Sequence, residues 1–378
     1  MIRIFQCLII LAVAIILGCS GSNQETEMEK EPPEHLAESK PYGTFGGKEV
    51  TQFILRNSAG MEVGILNYGG TVTHILTPDK NGNAGDVILG FENLEGYLQD
   101  DNPYFGCLVG RYANRIANAT FELRGETFQL AANNDANSLH GGLRGFDKVV
   151  WDAELMPGDS SLRLKYLSHD GEEGYPGNLQ VEVTYALSSD NELVIKYTAT
   201  TDQPTPVNLT NHCYFNLSAG TDETILDHEL MLDADKFTEV NENLIPTGNL
   251  ADVDSTPMDF RNLNRIGNDI MKVAGGFDHN WVLNKSGEEI EKAGELHHSA
   301  SGRVMEIFTT EPGIQFYSGN FLDGTLRGKA GKIYFKHGGL CLEAQHFPDS
   351  PNQPEFPNTI LEPGNTYRQT TIYKFSIR

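Results

Sequence analysis

The sequence predicts an all-β protein, one large antiparallel β-sandwich with few and short helices, and three observations carry that prediction. From about Tyr42 onward, apolar and polar residues alternate in short runs. Examples are Leu162-Arg163-Leu164-Lys165-Tyr166, the series Leu179, Val181, Val183, Tyr185 and Leu187, and the closing series Tyr367, Gln369, Thr371, Tyr373, Phe375 and Ile377. A period of two seats one face of a strand in a core and leaves the other to water. Gly, Asn and Asp punctuate these runs, and the 39 glycines suit the many tight turns of an antiparallel fold. Helical periodicity is confined to two short candidates, residues 93–99 and 261–270. No repeat and no shift in composition divides the body, so a single domain is expected over residues 42–378.

Taken in order, the chain opens with Met1-Ile2-Arg3, an apolar run over residues 8–17, and Gly18-Cys19-Ser20. The run is too short to cross a bilayer as a helix and follows a single basic residue, the layout of a signal peptide. Ile16-Leu17-Gly18-Cys19 resembles a bacterial lipobox. Residues 1–18 are therefore expected to be a lipoprotein signal peptide, with Cys19 as the lipidated residue that ties the protein to a bacterial membrane outside the cytoplasm, at the periplasm or the cell surface. The alternative is an ordinary secretory signal with an incidental cysteine. Residues 19–41 are rich in glutamate, carry Pro32-Pro33 and hold hardly an apolar residue, which predicts an acidic disordered tether. A formal net charge of -24 argues against nucleic acid as a partner. Beyond the signal, Cys107, Cys213 and Cys341 form no disulfide framework and no zinc spacing, so they are expected to be buried small side chains, with room for at most one bridge.

Five segments combine unusual polarity with apolar flanks. Residues 110–116 (GRYANRI) place Arg111 and Arg115 four apart, without a Walker or GxGxxG pattern. Residues 137–142 (NSLHGG) set His140 at the mouth of a glycine turn. In residues 208–217 (NLTNHCYFNL), an extended chain would put Thr210, His212, Tyr214 and Asn216 on one face and Asn211, Cys213, Phe215 and Leu217 on the other. Residues 275–281 (GGFDHNW) join Asp278 to a histidine and an indole, a mixture suited to sugars, whose hydroxyls meet polar groups and whose C–H faces meet rings. Residues 338–348 place Glu343 inside an apolar strand, where a carboxylate is seldom present for solvation alone. No metal is expected: His140, His212, Asp278, His279 and Glu343 show neither HxH nor HExxH spacing, and a site would have to be assembled from distant segments. No GxSxG elbow is present, whereas Asp278 and Glu343 leave a glycosidase open as a competing enzyme class.

Together GRYANRI, NSLHGG, DGEEGYPG, TPVNLTNHCYFNL, GFDHN, GIQFYSGNFLDG and CLEAQHFPDSPNQPEFP are similar to the aldose 1-epimerase (galactose mutarotase) family, in order and from about Gly43 to Arg378. The resemblance implies a large antiparallel sandwich, a monomer or weak dimer, and interconversion of the α and β anomers of free aldohexoses such as glucose and galactose without a cofactor. It implies Glu343 as general base at the C1 hydroxyl, His212 as general acid at the ring oxygen and His140 as an assistant there. Asn114, Arg115, Asp278 and Gln315 would hold hydroxyls. One base and one acid on separate strands match the proton bookkeeping of ring opening. The sequence departs from the family pattern at Cys213 and Ala344, which alternation turns away from His212 and Glu343. A surface glycan-binding lipoprotein without catalysis is the reading from another class; Arg111 is expected to be a structural ion-pair partner rather than a site residue.

Overall fold

The computed structural model describes residues 37–157 and 160–378. Three antiparallel sheets make up most of it. The first is a five-stranded meander in chain order, Ala37–Phe45, Lys48–Arg56, Glu62–Leu66, Val72–Pro78 and Ala84–Asp86. The second has nine strands in the order Asp152–Leu155, Ser161–Ser168, Leu179–Leu187, Glu192–Thr201, Tyr367–Ile377, Arg303–Thr309, Glu291–His298, Glu229–Leu232 and Asn264–Arg265. The alternating runs read from the sequence are thus its central strands. Burial along Leu179–Leu187 falls on every second residue, as the pattern requires. The C-terminal strand lies in the middle of this sheet, between Glu192–Thr201 and Arg303–Thr309, so the end of the chain joins its two halves.

The third sheet carries the site. Its five strands run in the order Pro246–Asp252, Lys236–Val240, Asp278–Val282, Gly313–Tyr317 and Cys341–Gln345. One face sends Trp281, Ile314, Phe316 and Leu342 into the hydrophobic core, where Val63 and Ile65 of the meander and Leu164, Val183 and Phe375 of the nine-stranded sheet also lie. The other face presents Asp278, Gln315 and Glu343. All three sheets therefore share one core, as a single domain should.

The two helices are short: Leu94–Leu98, capped by Asn93, whose side chain accepts from the Gly96 N–H, and Ile266–Asp269, continued by a 3-10 turn over Ile270–Lys272. The first strand begins at Ala37, inside the stretch expected to be tether up to residue 41. It is polar and exposed on both faces because it lies at a sheet edge, held by backbone pairing and by a 2.7 Å Glu38–Arg56 ion pair, with its register shift at Pro41. Hydrophobic patterning cannot reveal such a strand. The expected signal peptide, the lipidation at Cys19 and the rest of the tether lie outside the described residues. Cys107, Cys213 and Cys341 are buried and free.

Candidate active site

Residues 208–217 run extended, although only Thr210–Asn211 form a regular ladder, against Leu108–Val109. The remainder is fixed by other means: Asn211 Nδ2 donates to the Gly106 and Cys107 carbonyls, the His212 N–H to Cys107 O, and Phe215 bridges both Ile88 and Leu340. The predicted faces are observed. Cys213, Phe215 and Leu217 enter the core, while His212 and Tyr214 line a cavity of about 250 Å³.

Glu343 stands opposite Gln315 in the adjacent strand and reaches the same cavity. His212 Nε2 lies 3.6 Å from Glu343 Oε1, with both side chains almost completely buried. The other imidazole nitrogen, Nδ1, is 3.5 Å from the Cys341 thiol. His140 arrives from a turn with φ of +51°, next to Gly141, where a Cβ would come within 1.9 Å of the Gly110 carbonyl; only glycine lets the two loops approach so closely. The Asn114 N–H donates to His140 Nδ1 at 3.2 Å. An imidazole nitrogen that accepts an N–H carries no proton, so neutral His140 holds its proton on Nε2.

That tautomer decides what the cluster can be. Ligating atoms of His140, His212 and Glu343 lie within 4.8 Å of one another, closer than the sequence spacing suggested and close enough to reach one ion. A metal would need the bare Nε2 of His140, which requires moving its proton to the nitrogen already facing an N–H donor. The donor set fits proton transfer better than ligation.

Burial pushes the Glu343 carboxyl well above the usual range; nearby Asp278 adds to this and Arg115 opposes it. Burial lowers His212 to about 4. Burial, with the His212 and Arg115 charges behind it, also places His140 well below its ordinary value. Both shifts favour the neutral forms, so the proton of the pair rests on the carboxyl. Moving it from carboxyl to imidazole creates a carboxylate and an imidazolium, the pair that acid–base chemistry uses.

The other expected site residues converge on the same cavity. Arg115 Nη2 lies 3.6 Å from Asp278 Oδ2, its Nε donates to Asn134 Oδ1, and Asn114 Oδ1 accepts from the Arg115 N–H. Gln315 Nε2 donates to Asp278 Oδ1 at 2.7 Å, so Gln315 reaches the cavity through Asp278. Two expectations need correction. Trp281 is no sugar platform: it is fully buried on the core face and donates to Met258 O. Arg111 forms no ion pair among the described residues; its guanidinium donates to Ser168 Oγ and to the carbonyls of Ser168, His169 and Pro176.

Sequence reasoning missed Tyr104, whose ring centre lies 4.7 Å from that of His140 and 5.7 Å from that of His212. Burial keeps its phenol protonated and able to donate. The DNPYFG stretch has no periodic pattern, so only its proline-aromatic pair marked it out. Phe321 at the rim and Cys341 behind His212 were also not singled out.

A carboxylate and an imidazole facing each other, with a second imidazole and a clamped array of polar side chains, define the class: an acid–base enzyme for a small polyhydroxylated substrate, built on an antiparallel β-sandwich. Comparison with known proteins narrows this. Residues 51–374 match the family described as Aldose 1-epimerase. The chain is 49% identical to human galactose mutarotase over 333 residues, 88% of this chain and 96% of that one. It is 38% identical to the aldose 1-epimerase of Escherichia coli K12 over 336 residues, 87% of this chain and 96% of that one. Among solved structures, a galactose 1-epimerase from Lactobacillus acidophilus superposes with a TM-score of 0.78 at 30% identity, covering 90% of this chain and 98% of its own. An aldose epimerase homologue from C. elegans gives 0.80 at 31%, covering 86% and 98%. The chain belongs to the aldose 1-epimerase family.

Proposed function

We infer that this protein is an aldose 1-epimerase that interconverts the α and β anomers of free aldohexoses such as glucose and galactose. The observation that carries the reading is the Glu343–His212 pair, 3.6 Å apart in a cavity of sugar-compatible size. Glu343 takes the proton of the C1 hydroxyl while His212 delivers one to the ring oxygen. The C1–O5 bond breaks, C1 becomes an aldehyde carbon, rotation about C1–C2 exposes its other face, and the two groups reverse roles as the ring closes. Net charge and proton count are unchanged over a turnover, so no redox partner takes part. His140, with its Nε2–H, supplies a further hydrogen bond near the ring oxygen. Asn114, Arg115 and Asp278 hold hydroxyls, Gln315 steadies Asp278 from the adjacent strand, and the Arg115 charge stabilises the carboxylate form of Glu343.

A glycosidase would need Asp278 free as a second catalytic carboxyl. Both of its oxygens are engaged, by Gln315 and by Arg115, which disfavours that reading. A binding lipoprotein without catalysis has no use for an acid–base pair held this close. Polarimetry on freshly dissolved α-glucose and α-galactose tests the proposal: optical rotation should relax faster with the protein than in buffer, and equal rates would overturn it.

The finer proposal is that the enzyme works outside the cytoplasm, anchored through lipid on Cys19, and equilibrates sugars before uptake. Its support is the run of residues 8–17 followed by Leu17-Gly18-Cys19. Labelled fatty acid should enter the wild-type protein and not Cys19→Ser; equal labelling of both would sink the proposal.

A further inference from the structure

Six fully buried side-chain N and O atoms that make no hydrogen bond to the described residues lie on one patch of the third sheet. They are Glu343 Oε2, Gln315 Oε1 and both amide atoms of Asn280 and of Gln345. The ladder explains the grouping. Asn280 is paired with Gln315 and Gln315 with Glu343, so these three form one row across adjacent strands. Gln345 follows Glu343 by two positions and therefore shares its face.

In the next row Gln345 is paired with Gly313, which has no side chain. A Cβ at Gly313 would lie 2.6 Å from Asn280 Oδ1 and 3.0 Å from the Phe347 ring. The Asn280 amide therefore leans over Gly313 toward the Gln345 side, and Phe347, packed edge-on against Phe356, covers the gap. The result is a polar compartment shut off from solvent, with the Phe347 ring at its edge. Glu343 touches both this compartment and the sugar cavity: Oε1 faces His212, while Oε2 is fully buried.

A buried amide group left unpaired forfeits the hydrogen bonds it had in water, so four such atoms beside two more acceptors are too costly to persist without an occupant. The chemistry of the lining names it. Two amides contribute N–H donors and C=O acceptors, while Gln315 Oε1, and Glu343 Oε2 in its carboxylate form, only accept; Gln315 Nε2 is already spent on Asp278. A carboxylate and three amide oxygens repel an anion. A mixed, nearly balanced set of donors and acceptors is what water satisfies, because each molecule donates twice and accepts twice.

We propose that Asn280 and Gln345 are positioning residues, whose amides together with Gln315 Oε1 hold a small buried water cluster against Glu343 Oε2 and thereby fix the carboxylate's orientation and stabilise its ionised form. The proposal rests on Glu343 being the base. Water donors on the far oxygen leave Oε1 aimed at the cavity and offset part of the cost of ionising a buried carboxyl.

The test replaces the amides by apolar groups of similar shape, Gln345→Met and Asn280→Leu, with Asn280→Ser as a variant that retains a donor. A difference infrared titration, referenced to Glu343→Gln, follows the protonated carboxyl of Glu343. Its midpoint should move up by about one pH unit in the apolar variants and stay near the wild-type value in Asn280→Ser. The kcat for mutarotation should fall about tenfold with KM unchanged, and a high-resolution crystal structure should show ordered water between Asn280, Gln345 and Glu343. An unmoved midpoint, or a cation in the compartment, would overturn the proposal. Absence of mutarotation in the wild type would instead refute the reading of Glu343 as base, whatever the infrared titration gave.

Discussion

A carboxyl group almost completely buried, with one oxygen that no described protein group reaches, is costly to ionise, and Glu343 is in that position. Stability and catalysis therefore pull on it in opposite directions. Its proton affinity in the folded state is raised above that in the unfolded chain. By linkage the folded form binds the extra proton, so the group's contribution is most favourable below the unfolded value near 4.5 and is lost as pH rises toward the folded value. Glu343→Gln keeps the shape and removes the titration. Its kcat should drop by roughly a hundredfold to ten-thousandfold, the span of general acid–base effects, while sugar binding is largely kept. Its melting temperature should exceed that of the wild type at neutral pH, and the gap should close on acidification to pH 4. A variant with full activity would move the base elsewhere. One with no gain in stability would show that the buried carboxylate is better solvated than its surroundings imply.

The elements that bear these residues differ in how far sequence could reveal them. The alternation in Leu179–Leu187 and Tyr367–Ile377 is set by burial of one face, so it is written in residue type and was legible. The same logic oriented His212 against Cys213, and the isolation of Glu343 among apolar neighbours marked it. It could not orient Trp281, because an indole beside Asp278 suits a sugar or a core equally well until the strand's facing is known. Nor could it separate two arginines four residues apart. Arg115 faces the cavity beside Asp278, whereas Arg111 is sealed among neutral oxygens and ties residues 110–116 to Ser168, His169 and Pro176. Burial lowers Arg111 to about 10, which still leaves it charged at neutral pH. Lysine cannot reproduce a planar fork with several bonds. Arg111→Lys should thus lose about 2 to 4 kcal/mol of stability through unpaired buried carbonyls, read by denaturant unfolding, with KM little changed. Arg115→Lys should do the reverse, raising KM at small cost in stability. Equal effects on KM from both would erase the distinction.

At the level of the whole molecule, the polar cavity and its relatives in the core make the fold acid-sensitive. His140, His212 and His228 are all buried and all held below the ordinary histidine value, each chiefly by burial. His228 Nε2 accepts the Leu217 N–H, which places the proton of the neutral ring on the buried Nδ1, and the ring stacks on His298 at 4.6 Å. Where folded values lie below unfolded ones, the unfolded chain takes up protons first as pH falls. Stability is then present above about 6.5 and is lost progressively toward about 4, the value for His212. Glu343 works in the opposite sense, as do Asp147, Asp349 and His346, whose folded values are also raised, so a net loss requires the three imidazoles to outweigh these groups. The net charge of -24 adds a term that acid also relieves, because protonation reduces self-repulsion. Salt separates the two: at about 0.5 M the Debye length is under about 5 Å, so repulsion between surface carboxylates is screened while buried imidazoles are scarcely affected. Melting temperatures in high salt should therefore fall steadily from pH 7 to pH 5, before most surface carboxylates begin to titrate. A flat or rising series would mean that the raised groups prevail, or that the three imidazoles gain partners or water on protonation and the cavity opens to solvent as it charges.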